Sequence, residues 1–220
     1  MLLLLWTLVM TPFASAQEGP FMWGVGPTLS TVVLPGAMPF NFPDEADDLR
    51  FEKTGGDVGI GVHAVMYMRH TQRFGTHAWY HTGAGGYSSP NLTLEYDFVG
   101  SSANGVTVLG GLGGGFGSQS WENDNGDKLK MNTFIARGQG SVNFRTPTVC
   151  YELAAFVNMY FPANTKIEKK TGETIDAAYT LYPVLGLEFT AFFGDFKPPG
   201  KGKGKGKGRK GRKKKRGGRR

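Results

Sequence analysis

Cysteine occurs once in the 220 residues, at Cys150, so neither an intrachain disulfide nor a cysteine-based zinc site can form. Long helical patterning is also missing, since no extended stretch repeats its apolar residues every three to four positions. The apolar run at the amino terminus is about ten residues, too short to cross a membrane as a helix. The glycine run in GGLGGGFG lacks the Lys-Ser/Thr that completes a phosphate loop, and no nucleophile elbow stands near any of the four histidines. Acid is absent from residues 197–220, which hold fourteen of the 25 Lys and Arg and none of the 18 Asp and Glu. The formal charge of +7 therefore averages a tail of +14 with a remainder near −7, and each must be matched to its own partners.

What is present is glycine, 34 residues of it, and alternation. Thr180 to Phe196 places Leu181, Pro183, Leu185, Leu187, Phe189, Ala191 and Phe193 on one face. Tyr182, Val184, Gly186, Glu188, Thr190 and Phe192 occupy the other. Successive strand side chains point to opposite sides, so this is one strand with a fully apolar face, long enough to cross a bilayer at a tilt. A strand of an ordinary sandwich is about half as long and turns its charged face to water.

Seven earlier segments follow the same rule. The first, from Phe21, sets Trp23, Val25, Pro27 and Leu29 on one side. The second sets Val58, Ile60, Val62, Ala64, Met66 and Met68 against Gly59, Gly61, His63, Val65, Tyr67 and Arg69, and it ends in a short turn, HTQRFG. The third covers about 76–88 and breaks at Ser89-Pro90-Asn91; the fourth covers 92–99, with Thr93, Glu95 and Asp97 opposite Leu92, Leu94, Tyr96 and Phe98. GSSANG forms the next turn. The fifth carries Val106, Val108, Leu112 and Phe116 on one face and almost only glycine on the other, leaving room for larger side chains opposite. The sixth runs 131–145 and the seventh 149–161, separated by a Thr146-Pro147 turn. Residues 34–57, 119–130 and 162–179 read as loops. Most of the longer connections fall at one end, the asymmetry of outer-membrane barrels, and an even strand count returns both termini to the other end.

The chain thus divides into a signal peptide, 1–16, ending in Ala14-Ser15-Ala16, a barrel, 17–196, and a disordered basic tail, 197–220. The expected fold is all-β: an eight-stranded antiparallel up-and-down transmembrane β-barrel. The signal, the alternating strands and the aromatic-terminated last strand, with Phe193 or Phe196 as terminal aromatic, resemble the small outer-membrane β-barrels of Gram-negative bacteria. The likeness is to the OmpA-transmembrane-domain-like or OmpW-like proteins in the broad sense and covers Phe21 to Phe196. It implies residence in the outer membrane and membrane lipid as the surrounding partner.

Inside an eight-stranded barrel there is room only for side chains, and buried charges must pair. Glu95, Asp97, Glu152 and Glu188 share the inner face with Arg69, Arg137 and Arg145, which predicts an ion-pair network filling the lumen. The functional alternative is a narrow polar pore gated by that network. Within it, Glu152 and Glu188 are expected to share Arg137. His77 and His81, four residues apart on one strand, lie about 13 Å apart and cannot meet on one ion. No cofactor and no catalytic residue is expected. The tail cations Lys201, Lys203, Lys205, Lys207, Arg209, Lys210, Arg212, Lys213, Lys214, Lys215 and Arg216 suit an anionic envelope partner, phospholipid headgroups or cell-wall polymer. The missing aromatics and the export signal argue against nucleic acid.

The function expected is that of a non-enzymatic outer-membrane barrel with a structural, adhesion or narrow-pore role. Two other classes compete with it. One is a soluble secreted lipocalin-like barrel whose apolar faces line a ligand cavity; the other is a lipid-modifying barrel enzyme.

Overall fold

Strands with one apolar and one polar face can hide every edge only if the sheet closes on itself. The computed structural model describes residues 22–33, 56–68, 71–83, 86–103, 106–177 and 181–196, and in it the sheet closes. The strands are β1 (Met22–Val33), β2 (Gly56–Met68), β3 (Gln72–Gly83), β4 (Tyr87–Ala103), β5 (Val106–Glu122), β6 (Lys128–Arg145), β7 (Val149–Glu168), β8 (Thr174–Asp176) and β9 (Tyr182–Asp195). Each pairs antiparallel with the next from β1 to β7, then β7 pairs with β9 and β9 with β1. Eight strands make the ring. The three-residue β8 only extends the upper part of β7. The signal segment, residues 34–55, Arg69 and the tail lie outside the described residues.

The faces point as alternation requires, apolar outward. Val58, Ile60 and Val62 are 61%, 62% and 54% exposed, whereas the intervening His63 is buried. The expected outward row continues through Ala64 and Met66 but ends there, because Met68 is buried beside the hairpin turn. Every ring strand exposes at least one large apolar side chain, such as Leu29, Ile60, Tyr80, Leu94, Leu112, Phe134, Leu153 and Leu185. Soluble proteins rarely expose more than a few hundred Å² of continuous apolar surface, so this belt is a lipid-facing surface. The lipocalin-like alternative needs the apolar faces inside, and the observed orientation overturns it.

Aromatic rows bound the belt. Phe116, Phe134 and Phe161 lie side by side across β5, β6 and β7 at one level, and Phe144 and Tyr151 pair at the other. Ten residues separate Phe134 from Phe144 on β6, roughly 33 Å of strand, or about 25 Å of height at the usual tilt. That matches the apolar band of an outer-membrane barrel.

Four segments read as loops, turns or breaks are strand in whole or in part. Ser89-Pro90-Asn91 lies within β4, opposite Tyr80 and neighbours on β3. Proline has no N–H to give, and the β4–β5 ladder is interrupted between Ser88 and Asn91, so none is demanded there. Residues 101–103 of the expected GSSANG turn also belong to β4. Residues 119–130 continue β5 and β6, leaving only 123–127 as a tip, and 162–179 continues β7 to Glu168 before β8. These strands rise beyond the belt, where the outward face changes from apolar to polar: Lys130 meets Glu168 at 2.6 Å and Lys128 meets Glu122 at 3.4 Å. Their inward face stays dry, with Trp121, Leu129, Met131 and Ile167 buried together with Tyr87. A bulge between Asn132 and Thr133 marks the boundary on β6–β7. At the opposite end the turn at Thr146 is closed by Val149 N–H donating to Thr146 Oγ1 (2.9 Å), as Thr146-Pro147 predicts.

The two raised hairpins are tied at Asp127. Its carboxylate accepts from Asn123 Nδ2 (3.0 Å) and from the Lys170 N–H across the hairpin gap (2.9 Å). The Lys170 N–H and then Asn123 hold the Asp127 carboxyl below its ordinary range. A depressed carboxyl stabilises the fold above its unfolded value and loses that contribution as pH falls through the folded one. Protection of the Lys170 amide against hydrogen exchange, corrected for intrinsic rate, should therefore weaken only at pH values below the ordinary aspartate range and at all pH values in Asp127→Ala. Unchanged protection in that variant would refute the tie.

The belt makes its own prediction. Val62→Arg should destabilise the barrel in lipid vesicles by about 2–4 kcal/mol, whereas Ser120→Arg, on the outward face above the belt, should fall within about 1 kcal/mol of wild type. Urea unfolding of the refolded variants measures both.

Candidate functional site: the charged lumen

A lumen this narrow accepts long polar side chains only where the facing strand gives way. β5 gives way through glycine. A Cβ at Gly111 would overlap Asp97 Oδ1, one at Gly113 would crowd Glu95, and one at Gly117 would overlap Asn91. The glycine face read in the sequence thus lets β4 lean its acids into the lumen. Gly59 makes the same room for His81, and Gly186 for Phe156.

Two guanidiniums organise the acids. Arg73, fully buried, donates from Nε to Asp97 (2.8 Å) and grips Glu152 with both terminal nitrogens, Nη2 at 3.0 Å. Arg137 reaches Glu188 through Nη2 (2.9 Å) and Glu95 through Nε (3.2 Å). Gln139 links the groups by donating to Glu95 (3.0 Å) and Asp97 (2.8 Å). Arg137 also packs 4.2 Å from the Phe156 ring centroid, so aromatic faces complete its cage.

The expected sharing of Arg137 by Glu152 and Glu188 is half corrected. Glu188 does meet Arg137, but Glu152 meets Arg73, a residue assigned to a turn in the sequence. β3 begins earlier than expected, and Arg73 lies inside it, directly opposite Asp97. Arg145 stands apart: its guanidinium lies 4.4 Å from the Tyr67 ring centroid and touches no carboxylate among the described residues.

Three histidines also point inward. His63 and His77 face each other across β2 and β3, their rings stacked with centroids 4.7 Å apart. His63 Nε2 lies 3.3 Å from Glu95, and His77 Nδ1 lies 3.5 Å from Glu188. The distance that separates His77 from His81 along one strand does not apply across two strands, so this cluster was invisible to spacing. His81 instead meets Ser30 Oγ at 2.7 Å. That Ser–His contact is sealed in the lumen, both residues being buried, so neither faces a lipid substrate.

Below the charged layer Asn143 donates to Tyr67 Oη (2.8 Å), and Phe196 closes the rim edge-on against Tyr67. Of the two candidate terminal aromatics, Phe193 faces lipid and Phe196 turns inward, its N–H donating to Pro147 O (3.1 Å). Above the layer, stacked Tyr160 and Tyr182 fill the lumen with Trp79.

No family model and no curated protein matches the chain. Among solved structures it is similar to Neisserial surface protein A, at 10% identity and a TM-score of 0.49, covering 80% of this chain and 96% of that one. It is similar also to a major outer membrane protein from Thermus thermophilus, at 11% identity and a TM-score of 0.46, covering 77% and 98%. The outer membrane protease OmpT from Escherichia coli follows at 8% identity and a TM-score of 0.31, covering 79% and 93%. Likenesses this remote lend no function, which must come from the chain's own residues.

The ion-pair assignment is testable by a double-mutant cycle. Glu152→Gln should destabilise the native barrel, because it strands part of Arg73, and should do so by about 1–3 kcal/mol less in an Arg73→Met background. In an Arg137→Met background its effect should be unchanged. Coupling to Arg137 and none to Arg73, measured by urea unfolding, would reverse the assignment.

Proposed function

We propose that the protein is a non-enzymatic outer-membrane β-barrel that serves as a closed structural element, displaying a rigid polar sheet outside and a cationic tail inside the envelope. The observation that carries this reading is the filled lumen. Arg73, Arg137, Glu95, Asp97, Glu152 and Glu188 are each at most 4% exposed, and aromatic layers lie above and below them. A water-filled pathway would leave such groups hydrated. The narrow-pore alternative requires the ion pairs to part, and charges taken from those partners would be stranded in a dry interior.

Strand parity supports the placement of the tail. Met22 and Phe196 both stand at the rim of the short turns, so residues 197–220 leave the barrel there, on the periplasmic side in the usual orientation. Fully extended, they reach roughly 80 Å. Each Lys or Arg near an anionic surface contributes about 1 kcal/mol, screened within a Debye length. The tail's partner is an anionic envelope component, phospholipid headgroup or cell-wall polymer.

Two measurements test the reading. The purified full chain in planar bilayers should show no discrete conductance; regular channel openings would establish the pore instead. A synthetic 197–220 peptide should bind anionic vesicles or cell-wall sacculi at low salt and leave at high salt. Failure to bind either would remove the tail's proposed role while leaving the closed barrel in place.

A further inference from the structure

The charged lumen does not balance. Four carboxylates, Glu95, Asp97, Glu152 and Glu188, contact two guanidiniums, Arg73 and Arg137, an excess of two negative charges in a layer sealed from water. Buried charge without compensation is strongly unfavourable. Arg145 stands against Tyr67 and touches none of these carboxylates, so the groups beside them that are left to supply it are His63 and His77, but imidazoliums stacked at 4.7 Å would repel each other.

The atoms around that stack have the arrangement of a ligand set. One ligand atom from each of His63, His77 and Glu188 lies within 4.8 Å of the other two. His63 Nδ1 stands 3.8 Å from Glu188 Oε1, and His77 Nδ1 stands 3.5 Å from Glu188 Oε2. Donor atoms around a tetrahedral zinc lie about 3.4 Å apart and aim in-plane lone pairs at one point, so closure draws the set in from its 4.8 Å span and turns the two imidazoles out of their stack. All four ring nitrogens of the two histidines, and Glu188 Oε1, are buried without a hydrogen-bond partner among the described residues. Arg137 occupies Glu188 Oε2, leaving Oε1 as the open oxygen. Glu95 stands 3.3 Å from His63 Nε2, where a metal-bound imidazole ordinarily meets an orienting carboxylate.

We propose that the lumen binds one divalent transition-metal ion of the zinc type through His63, His77 and Glu188, with Glu95 orienting the His63 ring. The ion replaces two protons: neutral imidazoles become ligands, and its two positive charges cancel the excess of the acid layer. Three protein ligands leave a fourth position for water. Two imidazoles and one carboxylate suit zinc or cobalt better than magnesium or calcium, which prefer all-oxygen sites. Arg137 beside Glu188 opposes the ion, and Glu95 and Glu188 together outweigh it. The site is structural, locking β2, β3 and β9 around the middle of the lumen, and it stands whether or not the tail binds its partner.

The test uses the full chain, refolded into detergent micelles in the presence of chelator, freed of it, and titrated with Zn²⁺ by calorimetry. Metal content after gel filtration gives the stoichiometry. One zinc per folded chain is expected, with Co²⁺ in the same site giving the visible bands of a nitrogen- and oxygen-ligated four-coordinate ion. His63→Gln and His77→Gln should each weaken zinc by at least about tenfold, while His81→Gln leaves the affinity unchanged. Unheated gel migration reports whether each variant has folded. If neither lumen variant folds, the wild-type stoichiometry and cobalt spectrum decide alone. A folded wild-type chain without stoichiometric zinc would overturn the proposal. So would zinc held equally by wild type and both lumen variants, or zinc lost on removing residues 197–220.

Discussion

Lipid on the outside of a barrel whose inside is only one side chain wide is the constraint on which the rest of this structure depends. Charge is excluded from the outer face, so every charged residue of a membrane-crossing strand must turn inward, where no bulk water can solvate it. The acids of β4, β7 and β9 therefore need cations from other strands of the ring. They find them in Arg73 and Arg137, each held between two carboxylates. The same limit on volume explains the small residues opposite the large ones, since Asp97, Glu95 and Asn91 occupy the space that side chains at Gly111, Gly113 and Gly117 would take. A glycine-poor β5 would close the lumen to its own ion pairs.

Alternation made the membrane-crossing parts of the strands legible because lipid enforces it on both faces at once. Beyond the belt only one face is enforced. Residues 119–130 and 162–168 keep their inner face buried through Trp121, Leu129, Met131 and Ile167, while water permits anything outward. Polar residues such as Ser120, Lys130 and Lys166 then give the segment the composition of a loop although its geometry is strand. Ser89-Pro90-Asn91 misleads for a related reason: turn residues mark a turn only where the backbone ladder would otherwise demand an N–H, and the gap in the β4–β5 ladder removes that demand. Arg73 was hidden by the reading of HTQRFG as a turn, so half of the cationic charge of the network lay outside the expected inner face.

The candidate site was legible as a set of inward residues and illegible as a set of pairs. Parity assigns a face; register assigns a level. Glu152 and Arg137 stand on neighbouring strands, yet β6–β7 register places Glu152 opposite Asn143 and Arg137 opposite Asn158. Six residues, about 20 Å along the strand, separate them. Arg73 and Asp97 are direct partners across β3 and β4, and so are His63 and His77 across β2 and β3. Only hairpin registers could have shown this, and the β2–β3 turn is shorter than HTQRFG suggests, with β3 beginning at Gln72.

The levels of the lumen differ in what they can tolerate. The upper one, with Trp121, Leu129, Met131 and Ile167, is apolar and continuous with the external sheet, and the lower one is closed by Phe192, Phe196 and Tyr67. Between them the charged layer has no access to water with which to correct an imbalance. Equal numbers of acids and bases at this level would balance without help, but four acids meet only two guanidiniums there, so a further positive charge at this level is favoured. The two histidines lie at the point of greatest excess, between Glu95 and Glu188, where a proton or a metal ion would have the largest effect on how firmly β2, β3 and β9 are joined. Whatever binds at that point in the folded barrel adds its binding free energy to the stability of the barrel, so the proposed occupancy and the stability are linked.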